Sequence, residues 1–212
     1  MPDSSRQSIW PGGAILAILA AACTALVAFT HSFTAPRIAA NEQAYLERSL
    51  APVLEGIDYE GDLSQSTIVL DSPHDLPGTA AAIVYRVFAA GQPVAALFVV
   101  TPRDGYSGPI RLLIGVAASG HVTGVRALSH RETPGLGDQI DVDKSDWILQ
   151  FNGRSLDAPP IAAWSIRGDG GEFDQMTGAS ITSRAIVRAV RETLIYFGEN
   201  REQVFARQET GE

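Results

Sequence analysis

An α+β fold, with helices packed on a mostly antiparallel sheet and one N-terminal transmembrane helix ahead of it, is what this chain of 212 residues predicts. Three observations lead there. The chain opens on a long apolar run without charge. Its middle holds four short segments rich in Val, Ile and Leu, paired across turn residues. It closes on a segment of helical period. Strands in the centre with helices at both ends fit helices laid on one face of an antiparallel sheet, not the alternating units of a parallel one.

The opening run comes first. No Asp, Glu, Lys or Arg occurs between Arg6 and Arg37, and Ala14 to Phe29 is almost purely apolar. A helix rises about 1.5 Å per residue, so roughly 20 residues cross a hydrocarbon layer about 30 Å thick. Residues 12–33 meet that length, with Trp10 and Phe33 where interfacial aromatics sit. A cleaved signal peptide and, at Cys23, a lipoprotein box remain alternatives to a retained anchor. The run is long for a signal and ends without an A-x-A site. The short tail is the cheaper end to leave in the cytoplasm, so the domain beyond it is expected outside.

Residues 37–54 continue as helix, with Ile38, Tyr45, Leu46, Leu50 and Val53 near one stripe. Residues 55–79 mix Gly, Asp, Ser and Pro around a short strand at Thr67–Leu70. Two hairpins follow: Ala82–Ala89 with Val94–Val100 across Gly91-Gln92-Pro93, then Arg111–Ala117 with Val122–Ser129 across Ser119-Gly120. His130 to Asp138 is a loop, broken by Pro134, Gly135 and Gly137. Ser145–Phe151 reads as a short helix stopped by Asn152-Gly153, and Ile161–Arg167 as a strand. A helix over Ile181–Phe197 buries Ile186, Val190, Leu194 and Phe197 and turns Arg184, Arg188 and Arg191 outward. Gly198 ends it, and a polar helix over Glu199–Arg207 follows.

Composition excludes several classes. One Cys rules out an internal disulfide, a zinc ribbon, a thiolate-held iron–sulfur cluster and a C-x-x-C-H haem site. Four isolated His form no metal pair on a helix, so no metal site is expected. The net charge of −8 argues against nucleic acid. Residues 1–36 carry Asp3 and Arg6 alone, so that charge belongs to the part beyond the anchor.

The stretch with chemistry is Asp174-Gln175-Met176-Thr177-Gly178-Ala179-Ser180-Ile181-Thr182-Ser183, a small-residue loop feeding a helix. Such a start offers free N–H groups and the positive end of the helix dipole, where a phosphate is stabilised without a cationic side chain. Two readings stay open on local grounds: Ser180 as an ordinary N-cap, or as a hydroxyl beside a phosphate site.

Asp174-x-x-Thr177-Gly178-Ala179-Ser180 resembles the flavinylation motif, D-x-x-(S/T)-G-A-(T/S), of bacterial flavoproteins that carry FMN through a phosphoester bond. Gly105-Tyr106-Ser107-Gly108-Pro109-Ile110 resembles the start of their FMN-binding domain. His130-Arg131-Glu132-Thr133-Pro134-Gly135-Leu136-Gly137-Asp138 is similar to its E-T-P-G-L-G loop, and Lys144 to Gly153 to its W-x-x-x-F segment. Four motifs in order, with the anchor and the length, are similar to the G subunits of Rnf complexes. Those complexes are membrane-bound, ion-translocating oxidoreductases linking ferredoxin and NAD. The C subunit of the Na⁺-translocating NADH:quinone reductase is a longer, more distant cousin.

The resemblance implies covalent FMN on Ser180, with Asp174, Thr177, Gly178, Ala179, Glu132, Thr133 and Leu136 around the cofactor. Many relatives have Thr at the acceptor position; Thr182 and Ser183 stay open as alternatives. It implies a flavin transferase that uses FAD and Mg²⁺, membrane partner subunits, lipid around residues 12–33, and an electron carrier with no bond-making chemistry of its own. The expected organisation is a cytoplasmic tail at 1–11, the anchor at 12–33, and a juxtamembrane helix with the first part of a periplasmic domain at 34–104. An FMN-binding domain at 105–198 and a C-terminal helix and tail at 199–212 complete it, in a bacterial inner membrane. Trp147 is either core or a stacking partner for the flavin, and His130 either a structural or a tuning group. Arg184 and Arg188 either approach the phosphate or face solvent. A non-redox assembly or anchoring subunit is the competing class. A serine hydrolase is disfavoured, since no G-x-S-x-G elbow is present.

Overall fold

The computed structural model describes residues 10–59, 63–70, 75–78 and 81–206. The expected tail up to residue 9, parts of the 55–79 linker and residues 207–212 lie outside the described residues, as does the side chain of Trp10. Contacts divide the chain into two units, residues 1–44 and 45–212.

In the first unit, helix α1 begins at Trp10, and the helix runs without a break to Val53. Residues 12–33 form an apolar stretch long enough to cross a membrane. Hydroxyls within it are satisfied locally: Thr24, Thr30 and Ser32 donate to carbonyls one turn back.

In the second unit, five strands form one antiparallel meander in chain order. They are β1 (Thr67–Leu70), β2 (Ala82–Ala89), β3 (Gln92–Val100), β4 (Arg111–Ala117) and β5 (Val122–Ser129). All four expected strand segments of the two hairpins are present, and β1 as well. The β2–β3 turn is tighter than expected. Ala90 and Gly91 alone make it, both at positive φ, and β3 begins at Gln92. Two left-handed residues match the twist of the flanking strands.

Both faces of this sheet are covered, where one was expected. Ala96, Phe98 and Val100 of β3, with Leu112, Ile114 and Val116 of β4, face the helix α2 (Ser180–Phe205) side, against Ile186, Val190, Leu194 and Phe197. Ala95, Leu97 and Val99, with Leu113, face the last turns of α1 through Leu46, Val53 and Leu54. Every residue from Ala95 to Val100 is therefore buried, which is why β3 shows no polar alternation. Of the stripe expected on 37–54, Leu46 and Val53 enter the core and Leu50 packs at its edge. Ile38 and Tyr45 are exposed.

Val53 sits in a notch. A Cβ on Gly115 would meet the side chains of Val53 and Thr123, and Leu97 at 3.0 Å. Close backbone approach sets glycine there.

Two segments depart from expectation. Ile161–Arg167 is not a strand: short 3₁₀ turns occupy Ile161–Ala163 and Arg167–Asp169. The alternation that suggested a strand is real, since Trp164 and Ile166 are buried, but only an isolated bridge from Ile166 to Phe173 pairs it. Trp164 instead packs on Phe173 at 4.6 Å between ring centres and donates its indole N–H to the Ser155 and Pro159 carbonyls. The closing helix passes through Gly198 and breaks at Asn200, and a second short helical segment runs on to Phe205, so the expected pair of helices is present with its break at Asn200 in place of Gly198. Mid-helix glycine costs about 1 kcal/mol; burial of Val204 and edge-on packing of Phe205 on Phe197 and Phe88 offset that. The expected helix at Ser145–Phe151 is 3₁₀ over Asp146–Phe151, with the Ser145 hydroxyl accepting the Trp147 N–H at 3.1 Å.

Gly115→Ala should therefore destabilise the full chain in detergent by about 1–3 kcal/mol through overpacking, read as a lowered melting temperature. Thr123→Val should behave oppositely. The Thr123 hydroxyl is buried without a hydrogen-bond partner among the described residues, so its removal should leave the melting temperature unchanged or raise it.

Candidate functional site

Helix α2 starts at Ser180, so the N-cap reading of that residue does not hold. The N-cap position is Ala179, which offers no side-chain cap, so Ser180 is already the first helical residue. The first intrahelical bond runs from the Ser183 N–H to the Ala179 carbonyl at 3.0 Å. The N–H groups of Ser180, Ile181 and Thr182 are left without intrahelical partners, at the positive end of the helix dipole.

A cavity of about 420 Å³ opens at this point. Its walls come from three loops brought together by the sheet. Tyr106 rises from the segment before β4. Glu132, Thr133, Leu136 and Gly137 come from the loop after β5. Gly178 to Thr182 form the start of α2. Of the residues the resemblance implied, Glu132, Thr133, Leu136, Gly178, Ala179 and Ser180 meet here. Asp174 and Thr177 do not line the cavity; both are exposed. Tyr106, Gly137, Ile181 and Thr182 join the wall without having been expected around the cofactor. The signals that could have found them were the place of Tyr106 inside the Gly105 to Ile110 motif and the spacing of Ile181 and Thr182 after Ser180.

The cavity is two-sided in character. Tyr106, Leu136 and Ile181 present large apolar surface at 67%, 42% and 48% exposure. The start of α2, whose first N–H groups have no intrahelical partners, lines the same cavity. Gly178 shapes the join: it adopts a φ of +77°, and a Cβ there would stand 3.0 Å from Leu136 Cδ2.

The three hydroxyls of the first turn differ sharply. Thr182 is fully buried and donates to Glu132 Oε2 at 2.5 Å. Ser183 is fully buried, donates to the Ala179 carbonyl and accepts the Met176 N–H, both at 3.0 Å. Ser180 is half-buried on the cavity wall, and its hydroxyl makes no hydrogen bond to a described residue.

The residues that do not touch the cavity hold the loops that do. Asp174 pairs with Arg167 at 2.8 Å, while its backbone carbonyl takes the Trp147 indole N–H at 2.8 Å and its N–H goes to Gln150 Oε1 at 2.7 Å. Trp147 thus packs edge-on against Phe151 and braces the 174 loop rather than lining the cavity. His130 is also a brace. Its Nδ1 accepts the Glu132 N–H, so its protonated Nε2 donates to Asp141 at 3.1 Å. Arg184 pairs with Asp169 and Arg188 with Asp104, in a separate groove beside Trp164 and Ile166.

Asp138 ties the 130–144 loop. It accepts the Gly135 N–H at 2.7 Å and the Lys144 ammonium at 2.6 Å. The Lys144 hydrogen bond holds its carboxyl below the usual carboxylate range; burial opposes this and the Gly135 N–H assists it.

A sheet clasped by helices, with a part-apolar cavity at a helix N-terminus, is the architecture of a small-ligand domain that takes an anionic group at one end. The FMN-binding domain family matches residues 105–195, and the RnfG N-terminal region matches residues 1–53. Over nearly its whole length the chain is similar to proteins named as the G subunit of the ion-translocating oxidoreductase complex. That of Shewanella baltica is 42% identical over 92% of each chain. That of Pseudomonas aeruginosa is 39% identical over 99% of this chain and 98% of its own. That of Vibrio cholerae is 41% identical over 93% and 94%. The chain belongs to this RnfG family.

Because Asp138 is depressed in the folded state, its contribution to stability is complete above its unfolded value, about 3.9, and is lost as pH falls below that toward the folded value. Asp138→Asn should melt lower than the parent at neutral pH, and the gap should close on acidification below about pH 4.

Proposed function

We propose that this chain is a membrane-anchored electron-transfer subunit that carries FMN esterified through its phosphate to Ser180. One observation carries the reading: Ser180 lines the cavity at the start of α2 and its hydroxyl makes no hydrogen bond to a described residue, while Thr182 and Ser183 are buried and engaged. The residues present fit the group. The free N–H groups of the first turn suit a phosphate, and Tyr106, Leu136 and Ile181 suit a flat, largely apolar ring.

The flavin, when bound, supplies the redox chemistry, and the protein supplies position and electrostatics. The first turn of α2 holds the negative phosphoester. Thr133 and Glu132 line the wall beside it, and Leu136 with Gly178 lets the chain approach closely. Attachment needs a separate transferase that uses FAD and Mg²⁺. The Ser180 Oγ–phosphorus bond forms, the phosphoanhydride of FAD breaks, AMP leaves and the hydroxyl proton goes to a base on the transferase. Asp174 and Thr177, exposed on the loop before the helix, are placed to be read by that enzyme.

Residues 12–33 of α1 hold the chain in lipid, the N-terminus is cytoplasmic, and the domain lies in the periplasm of a bacterial inner membrane. A tether is useful there, because a cofactor lost from that compartment is not replaced. The partners are the other membrane subunits of an Rnf-type complex coupling ferredoxin and NAD chemistry.

Co-expression with a flavin transferase should add the mass of one FMN less one water to the full chain, and peptide mapping should place it on residue 180. Ser180→Ala should abolish the adduct and the in-gel flavin fluorescence of the denatured protein; Ser180→Thr should keep both. A colourless parent chain, or an adduct that survives Ser180→Ala, would refute the assignment.

A further inference from the structure

Glu132 is a buried charge whose placement asks for a role. It is 5% exposed, in the wall of the cavity. No cation pairs with it among the described residues. Its two oxygens are each taken by one donor from a different loop: Oε1 accepts the Ser107 N–H at 3.0 Å, and Oε2 accepts the Thr182 hydroxyl at 2.5 Å. Glycine backbone closes over it from two sides. A Cβ on Gly105 would come within 2.9 Å of Oε1, and one on Gly137 within 2.7 Å of Oε2. The carboxylate therefore joins the 105–109 segment, the loop after β5 and the first turn of α2 at one point. With both oxygens engaged inside the protein, the carboxylate ties these three segments together.

We propose that Glu132 is a positioning residue that selects the attachment hydroxyl: by holding Thr182 inward and bracing the Ser107 segment, it leaves Ser180 as the one first-turn hydroxyl offered to the cavity. This rests on the reading of Ser180 as the acceptor and deepens it. Serine and threonine alkoxides are chemically equivalent toward phosphorus, and Thr182 lines the same cavity. Chemistry alone does not separate them. A carboxylate at 2.5 Å could even activate Thr182 as a general base does. Access decides against that. Thr182 is fully buried, and an attacking oxygen must reach a phosphorus carried by a bulky dinucleotide on an open line. Once Glu132 is neutralised, the Thr182 hydroxyl loses a charge-assisted bond and can turn toward the cavity.

The test uses the full chain co-expressed with the transferase, with the label located by peptide mapping. The parent should be labelled on Ser180 alone. Glu132→Gln keeps the shape and removes the charge. It should bring label onto Thr182 beside Ser180, since losing one charge-assisted hydrogen bond raises the population of the outward-turned Thr182 hydroxyl roughly tenfold. Ser180→Ala should take no label, whereas Ser180→Ala with Glu132→Gln should be labelled on Thr182. Thr182→Ser, which keeps the donor, should behave as the parent does. In the unlabelled chain, Glu132→Gln should speed amide exchange at residues 105–109 and 180–183 while leaving β3 unchanged. Glu132→Gln labelled on Ser180 alone at the parent level, with unchanged exchange in both segments, overturns the proposal. Label on Thr182 in the parent overturns it as well. An unlabelled parent would defeat the attachment reading instead, and the exchange measurement would still judge the brace.

Discussion

A sheet with two dry faces must be covered twice, and most of this protein follows from that requirement. Strand β3 is buried from Ala95 to Val100, so neither of its faces can be left to water. One cover is the end of α1, whose Val53 enters the notch at Gly115. The other is α2. Each cover is bound to its face by side chains that alternate along the same strand, so displacing either would expose a continuous apolar surface. The sheet therefore sets where α2 lies and hence where its first turn opens.

That opening is a polar problem solved at the edge of an apolar core. A helix start leaves three N–H groups without partners, and burying them unpaired would be costly. Here that helix start lines a cavity, and the neighbouring carboxylate of Glu132 accepts from the Ser107 N–H and the Thr182 hydroxyl. The Glu132 carboxylate thus ties these segments from inside, while the start of α2 lines the cavity. The loops around it are fixed in the same way: Asp138 with Lys144, His130 with Asp141, and Trp147 with the Asp174 carbonyl each tie a segment that would otherwise move. A loop held at several points presents its side chains in one place.

Arg184, Arg188 and Arg191 show how a helical pattern can be read correctly and still leave the role open. Arg184 and Arg188 do face outward, while Arg191 is half-buried; Arg184 and Arg188 pair with Asp169 and Asp104, residues from distant segments. No spacing rule joins position 188 to position 104; only the path of the chain over the sheet does.

Elements with strong periodicity or strong punctuation were legible in the residues themselves. The uncharged run of α1, the four strands of the two hairpins and the start of α2 at Gly178-Ala179-Ser180 could be read because apolar spacing and turn residues are local signals. The motif residues were legible as a group, though not their division of labour. That division came from the folding of distant segments onto one another. Folding moved the break in the closing helix from Gly198 to Asn200, with Val204 buried beyond it, and it denied Ile161–Arg167 a partner strand. It put the second layer of cover on the sheet, and it brought Glu132 to Thr182 across 50 positions of chain. The physical reason is the same in each case: burial and hydrogen-bond satisfaction are settled between segments far apart in the chain, and no window of neighbouring residues contains them.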